Sequence, residues 1–319
     1  MNFGATKNLL YINRYFTSFL TIRTNLSYNY CQEVVRKNDF ENYICALILP
    51  KSTQQAAFAL RCLNIELSNI NNSVSKPEIG KIKFKFWENE MKILFDNDSK
   101  TKINESPLMK ELIQINFSNS NLYRIWINRI FDARLKLMYE IPFKSMKEAY
   151  EYFDAINGSL LYILANHMNI ADVDVDHGLS HLGRCQGLII LIRGITMLAY
   201  YRQKVIIPND VMTQYQLSHS DIIRIVSAKN SDDKRLKELV YHIASAAHEE
   251  ALKTLSVYSR IKSNPTLVRR LFAPVIPAIR YLEKLRIADF NLFNKSLYQT
   301  DNLLAFHVYW KVIVKRNLQ

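Results

Sequence analysis

The chain has 319 residues, a formal net charge of +13, seven glycines and eight prolines. That length can bury the core of one large domain or two ordinary ones, and so few turn residues exclude a β-rich sandwich or barrel. The charge points to anionic partners such as lipid headgroups, nucleic acid or phosphorylated ligands, or simply to a basic surface, and composition does not separate these.

In chain order, the first acidic residue is Glu33, preceded by Lys7, Arg14, Arg23, six Ser or Thr and short apolar patches. Basic, hydroxyl-rich and acid-free is the composition of a mitochondrial transit peptide. Residues 1–32 are therefore expected to be a leader, with a tail carrying no address as the plainer reading, and 33–319 the working domain. Asn13 and Arg14 break the best candidate for a secretory h-region.

Apolar positions at Ala56, Ala59, Leu60, Leu63, Leu67 and Ile70 predict a helix over 52–73, with Ser52 or Thr53 as its N-cap. Ile82, Phe86 and Ile93 predict another over 78–96, followed by a polar loop, DNDSKTKINESP. Helices follow at 106–117, 121–138 and 145–168, then a turn at Asp172–Asp176. Gly183 to Pro208 reads as one long apolar helix interrupted by Arg193, a basic cluster, and a short β-branched run. The remaining helices fall at 219–228, 232–261, 265–287 and 302–316. Only Lys204–Ile207 looks strand-like, and it is too short to make a sheet. With no repeat and no Gly- or Ser-rich linker, the expectation is a single all-helical domain.

Cys31, Cys45, Cys62 and Cys185 are widely spaced, form no C-x-x-C pair and read as core residues in a reducing compartment. No uninterrupted apolar run reaches the roughly 18 residues that span a bilayer. Asp172, Asp174 and Asp176 imitate the opening of a calcium loop, but His177 and Gly183 stand where the turn Gly and the bidentate Glu belong. His177 and His181 lie at i, i+4, yet Gly178 replaces the Glu that a metalloprotease motif needs, so they read as a polar helix face. Arg193 must have a partner if it is buried, either a Glu such as Glu66 or a bound phosphate, and structural pairing is the expectation. Basic residues among apolar ones in Leu267–Ile287 and in the terminal VYWKVIVKR fit either a membrane-facing surface or ordinary packing.

Two stretches together resemble the squalene/phytoene synthases, head-to-head prenyl transferases. In the segment after Gly183, Arg193 takes the place of the Arg in the second R-D-x-x-x-D motif. Gly194 and Leu198 stand at its two aspartates, and Arg202, Lys204 and Pro208 resemble its closing basic run. In the first half, Asp39, Tyr43, Leu49 and Pro50 match the family opening. Laying Arg61 on the first R-x-x-D-x-x-x-D motif puts Asn64 and Ser68 at the aspartate positions, although a small slip would bring in Glu66 or Asn72. The resemblance implies an all-α fold of the isoprenoid synthase type. In such enzymes, facing pairs of carboxylates at i and i+4 hold Mg2+, which stabilises the departing diphosphate. Removing one preorganised electrostatic contact costs on the order of 3–4 kcal/mol of barrier. With none of the four carboxylates, the expectation is no catalytic residue, no bound metal and no cofactor. Arg193, Tyr201, Arg202 and Lys204 remain as a possible vestigial pocket for an anion or lipid.

Over about residues 36 to 316 the resemblance narrows to a non-catalytic branch of the family that serves the assembly of mitochondrial respiratory complex I. Its more discriminating runs are Ser73-Val74-Ser75 with Ile79-Gly80, and Asp176-His177 with Ser180-His181-Leu182-Gly183. It implies a protein on the matrix side of the inner membrane, peripherally attached, acting early in biogenesis. The implied partners are complex I subunits or other assembly factors, with no nucleic acid. The alternatives are a residual transferase or a protein that binds isoprenoid diphosphates or lipids, and, more remotely, a basic nucleic-acid binder, for which no motif is present.

Overall fold

The computed structural model describes residues 26–73, 77–96, 105–115, 121–139 and 143–318. Most of the expected leader, Val74 and Ser75 of one discriminating run, and residues 97–104 of the loop expected at 96–107 lie outside these residues. Among the described residues there is no strand, as the periodicity predicted. Lys204–Ile207 has no regular secondary structure and carries the chain off the end of a helix.

The chain opens with α1 (26–38), which crosses position 32 and buries Cys31. There follow α2 (Phe40–Leu47), α3 (Lys51–Ser73), α4 (Pro77–Asp96), α5 (Pro107–Gln114) and α6 (Asn121–Tyr139). Because α3 begins at Lys51, Ser52 and Thr53 lie inside its first turn and not at the cap. Next come α7 (Met146–Phe153), a π turn at Asp154–Gly158, and α8 (Ser159–His167), so the helix expected over 145–168 is bulged in its middle.

The long helix α9 (Val173–Arg202) starts earlier than the sequence suggested. Asp172 is its N-cap, accepting from the Asp174 amide, and Asp174 and Asp176 complement the positive end of the helix dipole in its first turn. Gln203, with φ 49°, ends it in the left-handed region.

The chain closes with α10 (Asn209–Gln214), α11 (His219–Ser227), α12 (Lys234–Arg260), α13 (Pro265–Leu271), α14 (Val275–Ile287) and α15 (Leu304–Tyr309), which runs on into a π turn at Trp310–Val314. The helix expected over 265–287 is divided at 272–274, because Pro274 has no amide to donate and disfavours helix at the residue before it.

α9 is the axis of the molecule. It buries Leu179, Leu182, Leu188, Leu191 and Ile192 on several faces, and each such side chain contributes roughly 1.5–3 kcal/mol of transfer free energy before entropy is counted. It is also long and apolar enough to cross a membrane by composition, with 56% of that stretch buried inside the fold. Two glycines let the π turn and the end of α7 approach it. A Cβ on Gly183 would lie 2.6 Å from the Gly158 amide nitrogen, and one on Gly187 would lie 2.0 Å from the Phe153 ring. All four cysteines are free and buried, in agreement with the reading as core residues. Burial holds the Cys185 thiol up at about 12.

Candidate functional site: a basic chamber between α3 and α9

The face of α3 that carries Arg61, Asn64 and Ser68 and the face of α9 that carries Arg193, Gly194 and Leu198 line one cavity of about 970 Å3. Asn64, Ser68, Gly194 and Leu198, the expected motif positions, therefore line a single space. α2, α6, α14 and the segment at 297–304 complete the walls.

Seven basic and three acidic side chains line this chamber, and each acid is held by an Arg. Asp39 accepts from Arg61 at 3.2 Å and Asp301 from Arg280 at 2.6 Å. Glu41 receives both ends of the Arg193 guanidinium, at 2.6 and 3.1 Å, while that guanidinium also sits 4.0 Å from the centre of the Tyr281 ring. Burial alone would lower the pKa of Arg193, but the hydrogen bonds and charge of Glu41 outweigh it and raise it. The structural pairing expected for Arg193 is present. Its partner is Glu41 and not Glu66, which instead accepts from the Tyr30 hydroxyl at 3.5 Å.

Of the other candidate pocket residues, Arg202 and Lys204 line the chamber and have no carboxylate partner among the described residues. Tyr201 does not line it; it is 68% exposed and packs edge-on against Tyr200. Arg134 was not singled out from the sequence. It comes from α6, is 7% exposed, and donates to Asn64 at 2.5 Å, while its Nε has no hydrogen-bond partner. A signal for it existed: Ile127, Ile130 and Phe131 form the buried stripe of α6, and position 134 continues that stripe.

The remaining sequence signals resolve into structure. His181 Nδ1 lies 2.7 Å from Glu250 and its Nε2 lies 3.2 Å from His177, which makes the polar helix face that was expected. Asp172 accepts from Ser263 at 2.5 Å in addition to capping α9. Among the described residues no group of three or more His, Cys, Asp or Glu is placed to hold a metal ion. Behind the chamber, buried Asp154 of the π turn accepts from Tyr162 at 2.7 Å, Ser180 at 2.7 Å and Arg129 at 2.5 Å. Burial would raise its pKa; these bonds reverse that and hold it below the ordinary aspartate value.

The chain is similar to known proteins in sequence and in fold. The chain is 33% identical over 289 residues to the NADH dehydrogenase (ubiquinone) complex I assembly factor 6 homolog of Drosophila melanogaster, a match covering 90% of this chain and 84% of that one. It is 31% identical to the assembly factor 6 of Homo sapiens, covering 88% and 80%. In structure it is similar to a dehydrosqualene synthase, with a TM-score of 0.72 at 14% identity over 91% of this chain and 96% of that one. It is also similar to a squalene synthase from Alicyclobacillus acidocaldarius, with a TM-score of 0.66 at 11% identity over 85% and 97%. At such identities the structural likeness speaks for the fold alone. The squalene/phytoene synthase profile matches residues 35–304, so that fold, the chamber and both motif-bearing helices fall within one matched span, and the chain belongs to the squalene/phytoene synthase family.

Proposed function

We propose that this chain serves the assembly of mitochondrial respiratory complex I as a non-catalytic helical scaffold, working early in biogenesis from the matrix face of the inner membrane. The observation that carries the reading is similarity at 31–33% identity, along nearly nine-tenths of the chain, to proteins named complex I assembly factor 6. Its partners are then complex I subunits or fellow assembly factors, with no nucleic acid. Attachment to the membrane is supported by the exposed Phe306, Tyr309 and Trp310 close in sequence to Lys311 and Lys315, an aromatic and basic combination suited to an anionic bilayer surface.

The absence of catalysis is supported by the donor set of the chamber. The side chains at the four motif positions are Asn64, Ser68, Gly194 and Leu198, which offer at best neutral oxygens, and the three carboxylates present are each engaged by an Arg. These residues do not fit Mg2+ held between facing carboxylate pairs.

Deleting the gene and resolving mitochondrial complexes on native gels tests the proposal. Complex I is expected to fall, with its membrane-embedded intermediates arrested first and the other respiratory complexes kept. Normal complex I in the deletion would overturn the reading. Protease protection in mitoplasts, with carbonate extraction, tests the matrix-face, peripheral placement.

A further inference from the structure

α4 carries apolar residues on two faces, and the fold covers only one of them. Gly80, Phe84, Met91 and Leu94 are buried on the side that packs on α3 and α6, with Phe84 edge-on to Phe131 of α6. The other side holds Ile79, Ile82 and Phe86, which are 45%, 70% and 45% exposed, and half-buried Ile93. A single exposed side chain of this kind is ordinary, but a row of them marks a contact surface.

The spacing of the row says what it contacts. Ile79, Ile82, Phe86, Asn89 and Ile93 follow alternating steps of three and four, the a and d positions of two heptads, and all but Asn89 are apolar. An apolar row confined to a and d is the narrow seam that one helix offers to another, whereas a helix that buries itself in a core or a bilayer interface shows a broader apolar face. Ile79 and Gly80 of one discriminating run fall on the two sides of this division: Ile79 opens the outer row and Gly80 is buried.

Lysines flank the row. Lys83 lies on one side and Lys85 and Lys92 on the other, all three exposed. These are the e and g positions, whose charges set partner choice between paired helices. Lys85 meets Glu88 at 2.8 Å in an i,i+3 surface pair, a contact of little strength. Glu90, at the remaining flanking position, is buried.

The cationic flanks choose between occupants. A second copy of this chain brings the same lysines and a net charge of +13, and like-charged surfaces repel. The first 32 residues of the chain contain no acid, so they do not match the flanks either. A helix with acidic flanks does. Two heptads are short for an isolated coiled coil, since free helices below about 12–15 residues are marginal. α4 is already fixed by its inner face, so only the partner has to be ordered on binding.

We infer that the outer face of α4 is a docking seam for one helix of another protein, apolar at its own a and d positions and acidic beside them. The inference gives the partner of the scaffold a chemistry and rests on the scaffold reading.

The full chain is titrated into fluorescently labelled three-heptad peptides at low salt, and anisotropy reports binding. One peptide has Leu at every a and d position and Glu at every e and g position. A second has Lys in place of the Glu, and a third keeps the Glu but has Ser in place of the Leu. One-to-one saturation by the Leu/Glu peptide is expected, at least tenfold tighter than by either of the others and weaker as salt is raised. Ile82→Asp with Phe86→Asp should weaken it at least tenfold; both side chains are exposed, so the circular dichroism should be unchanged. Lys85→Glu with Lys92→Glu should reverse the preference in favour of the Leu/Lys peptide, a result that loss of structure would not produce. Arg224→Gln, a surface charge change on α11, should bind like the wild type.

No saturation by the Leu/Glu peptide, equal affinity for the Leu/Glu and Ser/Glu peptides, or an unchanged preference after the charge swap would overturn the inference. So would a dimer in light scattering that Ile82→Asp with Phe86→Asp abolishes, which would assign the face to a second copy. Sedimentation with phosphatidylcholine–cardiolipin vesicles that is lost in the same variant would assign it to a bilayer, and would overturn the inference as well. Normal complex I in the gene deletion would defeat the scaffold reading by its own test, while the peptide titrations decide the seam separately.

Discussion

At the scale of single residues, the chamber is organised by whether each charge has found its counter-ion. Arg193 looks in the sequence like the surviving catalytic Arg of a motif, yet its charge is committed to Glu41 and its face to Tyr281. The pair is partly solvent-exposed, at 37% and 33% for the two side chains, so a double-mutant cycle of Arg193→Gln and Glu41→Gln should return a coupling of only about 1 kcal/mol. A coupling near zero in denaturant titrations would show that the pair is not formed. The glycines give a sharper prediction. Gly187→Ala drives a methyl into the Phe153 ring, and overpacking of this kind costs about 1–3 kcal/mol. The denaturation midpoint should fall accordingly; an unchanged midpoint would mean that the end of α7 does not sit against α9 as described.

At the scale of elements, most helices were legible because the core imposes a 3.6-residue stripe on each of them. The failures have physical causes. α1 overlaps the end of the stretch read as a leader, which was bounded by the first acidic residue, Glu33, and only tertiary packing reveals that Cys31 is buried. The π turn leaves no periodic mark. It follows from a tertiary requirement, the close approach to Gly183, and from buried Asp154, which ties it to Tyr162, Ser180 and Arg129. Glu41 was missed as the partner of Arg193 because the two are separated by 152 positions. Arg134 was missed because an Arg in an amphipathic helix ordinarily faces water, although its place on the buried stripe of α6 was visible.

The Asp154 network carries a pH prediction. Its pKa is depressed in the fold, so its contribution to stability is present above the unfolded value of 3.8 and is lost as pH falls through the folded one. The melting temperature should drop below about pH 4, and Asp154→Asn should flatten that drop while lowering stability at pH 7. A variant with the wild-type acid slope would exclude the network as its cause.

At the scale of the whole molecule, a squalene/phytoene synthase fold surrounds a chamber lined by more cationic than anionic side chains. The chamber carries seven basic and three acidic side chains over a large apolar wall. The helices of the fold could be read from the sequence. The excess charge could not, because it arises from α3, α6, α9 and α14 converging on one chamber.

The most direct measurement is the release of diphosphate from farnesyl diphosphate by the purified chain in Mg2+, set against a blank without protein and a parallel sample in EDTA. No release above the blank in either condition is the predicted result. Release that depends on the protein and disappears with EDTA would contradict the account and return the chain to the working transferases.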